Sequence, residues 1–211
     1  PRAGIVGSRL EDPDGTPQCS AFRFPGPIGE FERGFRLGLF SRLASRWVIT
    51  PPPPVEATRI DWLSGASMLI RREVFADIVL MDEHYFLYYE ELDFCLRAAR
   101  AGWELWYVPA SRVVHLVGQA SGFSDSRRRQ PRRPQYWFDS RRHFYLKNHG
   151  RVGALLADLA LLTGFFLWRT RRRIQGKPDN DPPGFLGDLW RNSVFVRGLR
   201  DDRATSPGER G

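Results

Sequence analysis

Apolar residues bounded by glycine at Ala3-Gly4-Ile5-Val6-Gly7 predict a short strand near the start of the chain. The run Asp12-Pro13-Asp14-Gly15 is turn chemistry, so residues 1–25 read as strand, turn, strand. Residues 26–60 carry no clear period. Their apolar patch at Phe35 to Phe40 is followed by Pro51 to Pro54, which cannot be helix or central strand and reads as an extended linker. Beyond Asp61 the texture changes. Ser67-Met68-Leu69-Ile70 suits a buried strand, Arg71 to Ile78 has helical spacing, and Tyr85 to Tyr89 is an aromatic, extended segment. A helix is expected over Glu90 to Ala101, because Leu92, Cys95, Leu96 and Ala99 share one face at three-and-four spacing, with Gly102 as its stop. Trp106-Tyr107-Val108 and Val113-Val114 read as two strands separated by a turn at Pro109. Strands and helices mixed at these lengths predict an α/β layered domain.

The C-terminal part has a different pattern. An arginine-rich loop leads into a helix over Tyr136 to His149, and Val152 to Trp168 is nearly all apolar apart from Asp158 and Thr163. That run sits at the low edge of the ~17–25 residues a bilayer span needs. A carboxylate at its middle would cost roughly 2.5–3.5 kcal/mol on insertion. A helix docked on protein, or lying in the membrane interface, is therefore favoured over a span. The tail Asp201 to Gly211 is polar and expected to be loose.

Composition adds bounds. The 211 residues, 42% apolar and 13% aromatic, suffice for one core of ordinary domain size. Cys19 and Cys95 have no zinc-type spacing and read as free thiols. No signal-peptide pattern opens the chain, and Pro1 in place of methionine suggests a start inside a longer protein. The net charge of +8 favours an anionic partner. Its excess lies in two runs, Arg127-Arg128-Arg129 with Arg132-Arg133, and Arg169 with Arg171-Arg172-Arg173, each of which could equally be a solvated face. Nucleic acid is set aside as a partner, because no helix-turn-helix, zinc-finger or RNA-recognition signature accompanies the arginines.

The chemistry-bearing segment is Glu90-Glu91-Leu92-Asp93, at the mouth of the amphipathic helix. A helix dipole favours carboxylates there, and their mutual repulsion lifts at least one pKa, as a general base requires. Plain helix capping accounts for the same residues. His115 ends a strand and is either structural or one ligand of a metal. In Asp61 to Ser67 the indole of Trp62 offers a flat face to a sugar, and Gly65 and Ala66 let backbone approach a ligand. A core tryptophan beside a tight turn is the plain alternative.

The order of DWLSGASMLIRREVF, MDEHYFLYYEELDFCLRAARAGWELWYVP and SRVVHLVGQASG resembles the second half of bacterial family-two glycosyltransferases, nearest the rhamnosyltransferase-like group. AGIVGSRLEDPDGTPQ and YWFDSRRHFYLKNHG look like that group's flanking segments, so the resemblance covers most of residues 3–150. It implies the acceptor-side portion of a GT-A fold over residues 1–122, with a basic loop and C-terminal helices over 123–200. The implied activity is inverting transfer from a nucleotide-diphospho-sugar to a saccharide or lipid-linked acceptor in cell-envelope polysaccharide synthesis. Glu91, with Glu90, is then the catalytic base. Asp93 orients the acceptor or the loop, Trp62, Gly65 and Ala66 lie beside the sugars, and His115 ligates a divalent Mg or Mn. The implied location is cytoplasmic, peripheral at the inner face of the cell membrane.

The family's N-terminal half, with its nucleotide site and DxD metal motif, is not matched, since Asp12-Pro13-Asp14 sits in a turn too late to be that motif. The chain alone is expected to bind nucleotide sugar weakly or not at all, as a fragment or degenerate product. The competing expectation is a non-catalytic, membrane-associated fragment or interaction module.

Overall fold

In the computed structural model, residues 2–116 and 131–200 are described. The first half contains β1 (Ala3–Glu11), β2 (Ala21–Phe22), α1 (Pro27–Phe35), α2 (Gly38–Leu43), β3 (Thr58–Ile60), β4 (Trp62–Leu63), β5 (Met68–Ile70) and α3 (Arg72–Ile78). The second contains α4 (Glu90–Arg100), β6 (Glu104–Val114), α5 (Gln135–Ile174), α6 (Phe185–Arg191) and α7 (Val194–Arg197). These elements form two compact units that interleave along the chain. The first unit takes residues 1–24, 48–82 and 90–128, and the second takes 25–47, 83–89 and 129–211.

The first unit is the mixed α/β layer that the pattern predicts. Its four-stranded sheet has the order β3-β6-β1-β5, with β1 and β6 parallel and both outer strands antiparallel to their neighbours. A second, two-stranded sheet pairs β2 with β4. Ile5, Leu63, Val74, Phe94, Ala98, Leu105 and Tyr107 are buried together, and they bring the sheets, α3 and α4 onto one core. Gly15, with φ of 83°, closes the turn after β1, and Gly102, with φ of 85°, stops α4. Both conformations suit a residue without a Cβ.

Two expectations about strands need correction. Pro109 does not separate two strands, because β6 runs unbroken from Glu104 to Val114. The register against β1 jumps from Ser8–Val108 to Arg9–Arg112, so Pro109, Ala110 and Ser111 bulge out of the ladder where no proline N–H is needed. Tyr85 to Tyr89 is not extended strand either. Tyr88 and Tyr89 hold φ of 66° and 72°, and the rings join an aromatic cluster of the second unit, Tyr88 on Tyr136 and Tyr89 against Trp137 and Phe144.

The second unit is helical, and it includes two helices in the stretch expected to be irregular. Proline at the first turn starts α1, where the missing N–H costs nothing. The helix packs against α5 through glycines. A Cβ on Gly34 would lie 2.7 Å from the Phe165 backbone nitrogen, and one on Gly164 would lie 2.5 Å from the Phe31 carbonyl oxygen. The two backbones touch there, which only glycine permits. Gly150, with φ of 66° and ψ of −173°, breaks α5 into two arms, close to the expected helix end at His149.

One face of the second arm packs on protein, and α5 as a whole is long and apolar enough to cross a membrane by length and composition. Ala154, Ala157, Asp158, Leu161 and Phe165 form its buried face. Asp158 accepts from the Arg141 guanidinium and from the Val194 backbone N–H at 2.7 Å. Arg141 also reaches Glu30, which receives the Tyr145 hydroxyl at 2.7 Å and Arg33 at 2.7 Å. Burial alone would raise the Glu30 pKa, but Arg33 and Arg141 outweigh it and hold the carboxyl below its usual range. The second arginine run is not simply a solvated face. Arg172 is buried against Asp179 at 2.8 Å, and Arg171 donates to the Phe35 and Arg36 carbonyls at 3.0 and 2.8 Å. Arg127 to Arg129 and the tail from Asp201 lie outside the described residues.

Candidate active site

Helix α4 starts with its carboxylates in the first turn, where the macrodipole favours negative charge. Its apolar face, Leu92, Phe94, Cys95, Leu96 and Ala98, is buried and fixes the helix against the sheet. That anchoring leaves Glu91 half-buried beside the β4–β5 turn, with a Cβ on Gly65 just 3.7 Å from the Glu91 Cβ. Glu91 also receives a backbone hydrogen bond from Gly65. Burial first, and then the charge of Glu90, push the Glu91 pKa up to about 7. Burial also raises the Glu90 pKa. One oxygen of each, Oε2 in both cases, is buried with no hydrogen-bond partner among the described residues. A buried acceptor left unmet costs about 1–3 kcal/mol, so a donor arriving there would recover that loss.

The other predicted residues divide. Gly65 and Ala66 are both exposed, and Gly65 lies beside Glu91. Trp62 is half-buried, with its ring stacked on Phe22 at 4.2 Å and its indole N–H donating to the Arg23 carbonyl at 3.0 Å. Its polar edge is thus already satisfied within the core. Asp93 is fully buried and paired with Arg97 Nε at 2.8 Å. The same guanidinium donates to the carbonyls of Ile78 and, at 3.0 Å, Leu80. Asp93 thus anchors the guanidinium that holds the loop after α3, and its full burial leaves it no direct access to a substrate.

His115 ends β6, and its Nδ1 lies 2.9 Å from Gln18 Oε1. Gln18 Nε2 in turn donates to Asp12 Oδ1 at 2.7 Å and to the His115 carbonyl at 2.8 Å. An imidazole oriented through Nδ1 presents Nε2, the arrangement of a metal ligand. Among the described residues, however, no group of three potential ligands includes His115. Sequence reasoning missed Gln18, which stands 97 residues from His115. It also missed a hydroxyl chain in which Ser67 donates to Ser8 at 2.9 Å and Ser8 meets Ser111 at 2.8 Å. No local pattern marks serines that meet only through strand pairing. Both cysteines are free, and burial pushes the Cys95 thiol up to about 12.

The segment that holds these residues matches a known family. Residues 48–136 match the model described as glycosyltransferase like family 2. These residues are similar to family-two glycosyltransferases. The chain is 34% identical over 131 residues to N-acetylglucosaminyl-diphospho-decaprenol L-rhamnosyltransferase of Mycobacterium tuberculosis strain H37Rv, covering 58% of this chain and 40% of that protein. It is 43% identical over 98 residues to rhamnosyltransferase WbbL of Escherichia coli K12, covering 46% and 35%. It is 31% identical over 111 residues to the low-salt glycan biosynthesis hexosyltransferase Agl10 of Haloferax volcanii, covering 53% and 32%. The match to each of these relatives thus spans two fifths of its length or less. No solved structure matches the chain. The matched segment contains every residue proposed for chemistry here, from Trp62 to His115.

Proposed function

We propose that the chain forms the acceptor-side part of an inverting glycosyltransferase of GT-A type, with Glu91 as general base. The observation that carries this reading is the half-buried Glu90–Glu91 pair, which has two unmet carboxylate oxygens and a Glu91 pKa lifted to about 7 within the matched segment. An acceptor hydroxyl donates to Glu91. As its oxygen bonds to the anomeric carbon, the proton passes to the carboxylate. The bond from that carbon to the donor phosphate breaks, and its electron pair leaves with the nucleotide diphosphate. One displacement inverts the anomeric centre without a covalent intermediate. A pKa near the working pH suits a base that must be ionised and still hold a proton. Burial and then the charge of Glu90 hold the Glu91 pKa up, and Gly65 and Ala66 leave room for the sugar.

A divalent ion bound in the complete site would stabilise the leaving diphosphate. His115, oriented by Gln18, is the residue here suited to contribute a ligand. The acceptor is read as lipid-linked, by similarity to the mycobacterial relative whose name specifies a diphospho-decaprenol. The basic loop and helices of residues 123–200 then hold the protein at the cytoplasmic membrane face. The deciding experiment compares sugar transfer by wild type and Glu91→Gln in a protein that also carries a nucleotide-binding half, with nucleotide-sugar binding measured alongside. Lost turnover with retained donor binding is expected. Unchanged turnover would remove Glu91 from the mechanism.

A further inference from the structure

The second arm of α5 has an outer face as regular as its buried one. Val152, Leu156, Leu159, Thr163, Phe166 and Thr170 follow one another at alternating four- and three-residue steps, which keeps them in one line along a helix. The four apolar members are exposed, Val152 at 69%, Leu156 at 47%, Leu159 at 54% and Phe166 at 58%. From Val152 to Phe166 the stripe runs about 21 Å at 1.5 Å per residue. It does not end in open solvent. Phe166, Thr170 and then Arg173 line a cavity of about 520 Å³ whose opposite side is formed by residues 183–191.

The cavity is strongly basic. Arg132, Arg169, Arg173 and Arg191 line it, against the single carboxylate of Asp188. That carboxylate is already spent. Arg132 grips both of its oxygens, at 2.8 and 2.7 Å, and Arg191 adds a contact at 3.1 Å. The Arg132 hydrogen bonds lower the Asp188 pKa, so it stays ionised and fixes both guanidinium groups. Arg169 has only a 3.6 Å contact to Asp179, and the exposed Arg173 side chain has no ion pair or hydrogen bond among the described residues. Guanidinium donors with this spare capacity, beside Phe166, Pro183 and Leu186, match a phosphorylated head joined to an apolar chain.

We propose, resting on the lipid-linked acceptor reading above, that this cavity is a subsite for the diphosphate head of a prenyl-type lipid, whose chain lies along the Val152–Phe166 stripe. Arg173 and Arg169 bind the phosphoryl oxygens, and Arg132 and Arg191 supply a fixed positive wall.

Titration calorimetry on the full chain tests this with two soluble probes, farnesyl diphosphate and inorganic pyrophosphate. Farnesyl diphosphate should bind about tenfold or more tightly than pyrophosphate, because only it covers the stripe. The double variant Arg169→Gln, Arg173→Gln should weaken both probes by about tenfold or more. Leu156→Ser with Leu159→Ser should weaken farnesyl diphosphate alone. Melting temperatures of the variants, measured in parallel, separate these effects from unfolding. Equal affinity for the two probes, or binding indifferent to Arg173, would overturn the proposal. So would farnesyl diphosphate binding replaced by unselective adsorption to phosphatidylglycerol vesicles. The transferase reading fails separately: full turnover by Glu91→Gln would sink it while leaving these binding results in place.

Discussion

Each unit buries a helix-borne glutamate, and the two are treated in opposite ways. Glu30 on α1 is wholly enclosed, and Arg33, Arg141 and Tyr145 all serve its carboxylate. Its proton is driven off. Glu91 on α4 is half-buried beside a second acid, and one of its oxygens has no partner among the described residues. Its proton is held up to about pH 7. Burial penalises both charges, so the sign of the shift follows from the neighbours each fold supplies. A satisfied carboxylate stiffens a structure, whereas one left in want of a donor can do chemistry.

The sharpest way to break this contrast is to neutralise each acid in turn. Glu91→Gln should lower turnover about a hundred- to ten-thousand-fold, the range for loss of a general base, with little change in denaturant stability. Glu30→Gln should do the reverse and destabilise the fold by about 3–5 kcal/mol, because it leaves Arg141 and Arg33 facing a neutral amide. Urea denaturation followed by tryptophan fluorescence measures that loss. A smaller effect is expected at the glycine contact, where Gly164→Ala should cost about 1–3 kcal/mol by forcing α1 off α5.

The finest test is pH. Glu91 has a raised pKa, so its folded form keeps a proton that the unfolded chain has lost. Its contribution to stability is complete below about 4.5 and fades as pH rises towards about 7. Glu30 has a lowered pKa, so its contribution is complete above about 4.5 and fades as pH falls. Turnover should climb with pH through about 7 as Glu91 ionises, and Glu90→Gln should move that limb to lower pH. An unmoved limb would mean that Glu90 does not tune Glu91.

Much of the first unit was readable because its signals are local. The Asp12 to Gly15 turn, the stop at Gly102 and the apolar face of α4 need only neighbours a few residues away. Helix α1 was hidden because Gly26, Pro27, Gly29 and Gly34 look like breakers. Gly34 is there for a contact with Phe165, more than a hundred residues later. The aromatic run at Tyr85 looks like a strand in sequence for a related reason: its rings answer to α5, not to a strand partner. At the site, acidic spacing located Glu90 and Glu91, but it could not tell the exposed glycine beside them from the internally bonded Trp62.

Asp158 has a consequence for how the protein must be handled. One oxygen is clasped by Arg141 and the other by the backbone at Val194, so the α5 arm is keyed against rotation about its own axis. A greasy helix without such a key could roll its oily residues inward when no lipid was near. Here they stay outward whatever the surroundings, and purification without detergent should leave the protein prone to self-association through that edge.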